Sequence, residues 1–135
     1  MEITVQHLDG VRFEVAARGH RVVSDQPVDN GGADGGMTPP ELMLASLGTC
    51  AGFYAAQYMK TRSLPMEGLE VTVSAEKELK PARLGRFRIL VKAPGVNASH
   101  LAGLERAVKL CLIHNTLVHP PAIETVIETG DPVHA

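Results

Sequence analysis

The sequence predicts an α+β fold in a single domain. Three observations lead there. Residues 2–8, 11–15, 68–78 and 83–92 alternate apolar and polar side chains, the period of half-buried strands. Thr38-Pro39-Pro40-Glu41 carries the signature of a helix start, just before a run of 18 residues without a charge, Leu42 to Met59. Apolar residues at helical spacing return at Leu101, Leu104, Val108, Cys111 and Leu112. Antiparallel strand runs interrupted by two long helices give the order βββ-α-ββ-α-β.

The elements follow in order. Ile3 and Val5 share one face of a first strand, and Asp9-Gly10 is a hairpin signal. Val11, Phe13 and Val15 alternate with Arg12 and Glu14 in a second strand. Gly19 marks a turn, and Arg21 to Val28 reads as a third strand. Residues 29–37, DNGGADGGM, form a flexible loop by composition. The run contains neither GxGxxG nor GxxxxGK[ST], so it is not a phosphate loop. Thr38 fits the N-cap, Pro39 the first helical position and Glu41 the third, and the helix runs to about Lys60. Residues 68–78 and 83–92 pair as a long hairpin ended by Pro94-Gly95. Asn97 or Ser99 caps a second helix reaching about Val118, where Pro120-Pro121 stops it. Ala122 to Glu128 is a final strand. No repeat or linker divides residues 1–135.

Composition narrows the functional classes. At 44% hydrophobic the chain can bury a core without disulfides or metals. A net charge of -2, with Lys and Arg scattered, gives no footprint for nucleic acid or a membrane surface. The uncharged run from Leu42 reaches only the lower limit of a membrane span and contains Ser46, Gly48, Thr49, Gly52 and Gln57, so it reads as a buried helix. The start, MEITVQHLDG, lacks the basic and apolar regions of a signal peptide. The expected location is the cytoplasm, where thiols stay reduced. The first helix has apolar residues all round its axis, and one chain of this size cannot cover every side of it. A homodimer with this helix near its centre is therefore expected.

Two cysteines carry the chemical interest. Cys50 and Cys111 fall on the core-facing sides of the two predicted helices. Each could be a small buried hydrophobe. Together they could approach to disulfide distance if their Cα atoms come within about 7 Å. A reactive cysteine needs its thiolate, and an apolar helix raises the pKa, so a cation is required. The candidates are Arg12, Arg18 and Arg21, with Arg18 preferred because it sits at a turn. Glu41 is either a capping residue or a carboxylate that holds such an arginine. Six histidines raise the question of a metal, but Cys111, His114 and His119 form no recognised ligand spacing.

Residues 38–54, TPPELMLASLGTCAGFY, and residues 107–117, AVKLCLIHNTL, resemble the two cysteine segments of the OsmC-like family, which includes the organic hydroperoxide resistance proteins. The element order resembles that family's along essentially the whole chain. The segment Leu-Ile-His-Asn after Cys111 lacks a proline frequent in the hydroperoxide-resistance branch, which places the chain nearer a less characterised branch. The resemblance implies an intertwined homodimer with two sites at the subunit interface. It implies a thiol peroxidase in which an organic hydroperoxide oxidises Cys50 to a sulfenic acid, Cys111 resolves it as a disulfide, and an external dithiol such as a lipoyl group reduces the pair. Glu41 and an arginine would assist, and the resemblance does not say which of Arg12, Arg18 and Arg21 it is. No cofactor and no metal are implied. The alternative of another class is a dimeric, non-catalytic binding protein for an apolar small molecule at the same interface.

Overall fold

The structure is a computed structural model, and it describes residues 1–131. Its strands are β1 (Thr4–Asp9), β2 (Arg12–Ala17), β3 (His20–Ser24), β4 (Glu70–Glu78) and β5 (Arg83–Lys92), and its helices are α1 (Pro39–Thr61), α2 (Leu101–Val108) and α3 (Leu112–Val118). The architecture is α+β, as the alternation and the helical spacing predict. Strands β1, β2 and β3 form an antiparallel meander, and β4 and β5 form a separate hairpin.

The β4–β5 hairpin and the helices make the body of the chain. Val71 pairs with Val91, Val73 with Ile89 and Ala75 with Phe87, so one face of the hairpin is apolar along its length. Helix α1 lies on the β4 side of that face. Two glycines permit the approach: a Cβ on Gly48 would stand 3.1 Å from Val73 Cγ2, and one on Gly52 would stand 3.5 Å from Val71 Cγ2. On its buried side α1 presents Leu47, Ala51, Ala55 and Met59, spaced four apart and all at most 1% exposed. With Cys111 they are the fully buried apolar core. The α1 start matches its sequence signature. The Thr38 hydroxyl accepts the Glu41 amide proton, and the Glu41 carboxylate accepts from the Thr38 amide at 3.0 Å, a complete capping box.

Three expectations need correction. First, the 29–37 loop is not loosely held. Strand β3 ends at Ser24, and the next residue, Asp25, is only 2% exposed. Its carboxylate accepts the amide protons of Gln26 (2.8 Å), Ala33 (3.2 Å) and Gly35 (2.9 Å). These bonds, led by that from Gly35, hold the Asp25 carboxyl below its ordinary value. The strand expected to reach Val28 thus stops at Ser24, and a single-turn 3-10 helix, Val28–Asn30, follows. Glycine-rich composition signals a loop but not its anchor. Second, the later helix is broken into α2 and α3, with Cys111 at the break instead of mid-helix. The apolar spacing keeps its phase across Lys109 and Leu110, so periodicity does not register the interruption. Third, Ala122 to Glu128 has no ladder partner among the described residues, and Ile123, Val126 and Ile127 are exposed. Alternation reports which side chains would share a face. It does not supply the edge with which a strand pairs.

Much apolar surface is left bare within one chain. The β1–β3 sheet packs broadly against no helix. Val5, Val15 and Val22 pair across it in one row, and Val5 is 52% exposed. On α1, Phe53, on the side opposite the core, is 55% exposed, and Met43, one turn before Leu47, is also exposed.

The close packing of the 29–37 loop is testable. A Cβ on Gly36 would stand 2.1 Å from the Val23 carbonyl oxygen, a contact that only backbone movement can relieve. Gly36→Ala should lower stability in urea titrations by about 1–3 kcal/mol. Gly130→Ala, whose Cβ meets nothing within 4 Å, should leave it unchanged.

Candidate functional site

The chain folds so that its two thiols meet. Cys50 lies at the middle of α1, half-buried, on the side that also bears Phe53. Cys111 is fully buried. It is the N-cap of α3, with ψ 124°, and its sulfur accepts the His114 amide proton at 3.4 Å. An N-cap residue leaves the first amides of its helix without intrahelical partners. Here those of Leu112 and Ile113 are near enough to Cys50 to favour its thiolate.

The electrostatics follow. Burial pushes the Cys50 thiol up. Hydrogen bonds from the Cys111 thiol and from the Ile113 and Leu112 amides outweigh it, so the net shift is downward from the ordinary thiol value. Cys111 moves the opposite way. Burial raises it, and its proton is engaged with Cys50, while the His114 and Ile113 amides only partly compensate. One thiol of the pair is therefore poised to ionise and the other to remain protonated, a division of roles set by their surroundings.

The other predicted residues are not brought to the thiols within the chain. Glu41 is nine residues before Cys50, about two and a half helical turns, and so lies on the opposite side of α1. Its carboxylate is engaged by Thr38, whose amide and hydroxyl hold it below its ordinary value. Arg18 is exposed in the β2–β3 turn. Arg12 pairs with Asp9 at 2.7 Å, and Arg21 pairs with Glu14. Within one chain, the groups that lower the Cys50 thiol are the Cys111 thiol and the Ile113 and Leu112 amides. The sequence offered no signal for this, because the α2–α3 break carries neither Gly nor Pro. Among the described residues no group of three His, Cys, Asp or Glu side chains is placed to hold a metal ion, and no helix is long and apolar enough to cross a membrane.

Fold and site together define a small α+β protein with a paired-thiol centre at a helix N-terminus. The family model for OsmC-like proteins matches residues 31–126, and the chain belongs to that family. No curated protein matches the sequence. Solved structures share the fold. One is described as an osmotic stress induced and detoxification response protein from Psychrobacter arcticus. It is 16% identical with a TM-score of 0.76, covering 84% of this chain and 85% of its own. An OsmC-like protein from Mycoplasma pneumoniae is 17% identical with a TM-score of 0.73, covering 88% and 87%. An organic hydroperoxide resistance protein from Elizabethkingia anophelis is 21% identical with a TM-score of 0.65, covering 84% of each chain.

If the Cys111 thiol and the α3 amides set the Cys50 ionisation, the donor at position 111 is decisive. Thiolate absorbance near 240 nm, followed against pH, should place Cys50 of the wild type below the ordinary thiol value of about 8.5. Cys111→Ala, which removes the donor, should raise the Cys50 midpoint. Cys111→Ser, which keeps an O–H, should raise it less.

Proposed function

We infer that the protein is a thiol peroxidase that reduces organic hydroperoxides through Cys50. The observation that carries this reading is a pair of free thiols near enough to influence one another, with Cys50 lowered and Cys111 raised from the ordinary thiol value. Membership of a family whose relatives include a hydroperoxide resistance protein supports it.

The Cys50 thiolate attacks the outer oxygen of the hydroperoxide. An S–O bond forms, the O–O bond breaks, and the leaving alkoxide takes a proton to become the alcohol. Cys50 is then a sulfenic acid. The Cys111 sulfur displaces its hydroxyl, which leaves as water with the Cys111 proton, and the Cys50–Cys111 disulfide forms. An external dithiol, such as a dihydrolipoyl group, returns both cysteines to thiols and is itself oxidised to a disulfide. The α3 amides that hold the thiolate are rigid donors, already oriented when charge is present on sulfur. The reducing cytoplasm suits this cycle, because both cysteines must begin as thiols.

In this reading the working unit is a homodimer. Its support is the bare apolar row of the β1–β3 sheet and the exposed Phe53 beside Cys50. Arg18 enters from the second copy. It lies at the tip of a sheet that, among the described residues, no helix covers broadly, and it has φ 51° beside Gly19 at φ 83°. A hairpin turn of this kind favours Asn or Gly at both positions, so an arginine there carries backbone strain that a role at the partner's thiol accounts for.

Two measurements test the proposal. Cys50→Ser should abolish reduction of cumene hydroperoxide by dihydrolipoamide. Cys111→Ser should complete one oxidation of Cys50 and then overoxidise under excess peroxide. Identical behaviour of the two variants in a single turnover would refute the assigned roles. Light scattering at micromolar concentration should give the mass of two chains, and the mass of one would remove the interface.

A further inference from the structure

We propose that the protein has a ligand site apart from the thiol pair, in the cleft between β5 and α3, and that it takes an aliphatic carboxylate whose head group pairs with Arg86. The β4–β5 ladder singles out that arginine. Ala75 pairs with Phe87 and Glu76 with Gly85, so Arg86 is an extra residue without a partner, a β-bulge. In an unbroken ladder residue 86 would share the face of Arg88 and Leu90, turned away from the helices. The bulge breaks that alternation, and Arg86 lines the cleft together with Phe87. The backbone is strained to do this. Arg86 has φ 39°, in the left-handed region that favours glycine. Among the described residues it is the one non-glycine residue inside a strand with a positive φ. Strain held at one position of a regular hairpin points to use of the side chain displayed there.

The cleft supplies the rest of the site. Helix α3 packs on α1 but not broadly on β5, which leaves a cavity of about 740 Å³ between them. That volume lies in the range of small-molecule sites, about 300–1,000 Å³. Phe87 and Ile89 of β5, Leu117 and Val118 of α3 and Met43 of α1 give it apolar walls. Its charged lining is two arginines and no acid. Arg83 is already engaged. It donates to the Leu79 and Pro81 carbonyl oxygens, each at 3.0 Å, and to the Glu78 carboxylate at 2.8 Å. Arg86 is exposed and makes no ion pair among the described residues, so its donors are open to an incoming group. A guanidinium fork matches a carboxylate with two parallel hydrogen bonds. The apolar walls suit a hydrocarbon chain behind that head. An amine would meet two positive charges, and an alcohol would lack the charge that Arg86 can pair with.

The probes are octanoate, 1-octanol and acetate, titrated into the full chain with calorimetry and with NMR of the Leu117 and Val118 methyls and the Arg86 Nε–H. Octanoate should saturate and shift the methyls and the Arg86 Nε–H together. 1-Octanol, the same chain without the charge, should bind about tenfold more weakly, the worth of a charged hydrogen bond. Acetate, the head without the chain, should not saturate. Arg86→Gln should weaken octanoate about tenfold and leave 1-octanol as it was. Arg86→Lys, which keeps the charge and loses the fork, should recover part of the loss. Arg86→Gly separates use from structure. It relieves the strained φ, so it should raise the urea midpoint while weakening octanoate as Arg86→Gln does. The proposal fails if octanoate does not saturate, if it shifts the Arg86 Nε–H without the methyls, or if Arg86→Gln and Arg86→Gly bind it as the wild type does. A urea midpoint that falls in Arg86→Gly would assign Arg86 to the fold and overturn the proposal as well. Binding is read without peroxide, so these outcomes do not depend on the peroxidase reading.

Discussion

Helix α1 carries no charge from Leu42 to Met59, and everything else in the chain is arranged around the need to cover it. A helix with one apolar stripe can lie on a surface, whereas one that is apolar all round must be enclosed. The β4–β5 hairpin takes one side, at a distance short enough that Gly48 and Gly52 have no side chain to interpose. Helices α2 and α3 take the next. The third side remains open, and Cys50 stands there beside Phe53. The reactive sulfur is thus placed where coverage by one chain runs out, which is also where a second chain would complete the enclosure.

The two thiols illustrate how position outweighs residue type. Both are cysteines on helices with apolar surroundings, yet one shifts down and the other up. The difference is made by three hydrogen atoms: two amide protons at the start of α3 and the thiol proton of Cys111. A capping residue ordinarily serves its own helix. Cys111 does so through the His114 amide, and at the same time exposes the next two amides to a neighbouring helix. Within one chain no side-chain cation is involved.

How much of this was legible in the sequence depends on the range of the interactions. The Asp9-Gly10 hairpin, the Thr38–Glu41 cap and the alternation of β4 and β5 are local, and each appears in the structure within a few residues of its expected place. That Cys50 and Cys111 could approach one another was suggested by two helices facing one core, and in the structure they are free thiols near enough to influence one another. The α2–α3 break was illegible because Lys109 and Leu110 are ordinary helix formers and the apolar phase runs through them. Asp25 was illegible for another reason. Its three amide partners are one, eight and ten residues away, in a run whose composition states only that it is a loop. Glu41 shows the converse: its local role as a cap is complete, and helix geometry turns it away from the thiol.

The buried Asp25 has a consequence for assembly. It fastens the segment that joins the β1–β3 sheet to the body, with its neighbour Ser24 donating to the Met37 carbonyl oxygen at 2.9 Å just before the α1 cap. The sheet therefore leaves the body in a direction that a single chain already determines. In the proposed homodimer, a partner receiving that sheet would meet an arm that has lost its orientational freedom during folding and not during association. The entropy of ordering is spent once, inside the monomer, and the encounter between chains is left with less to lose.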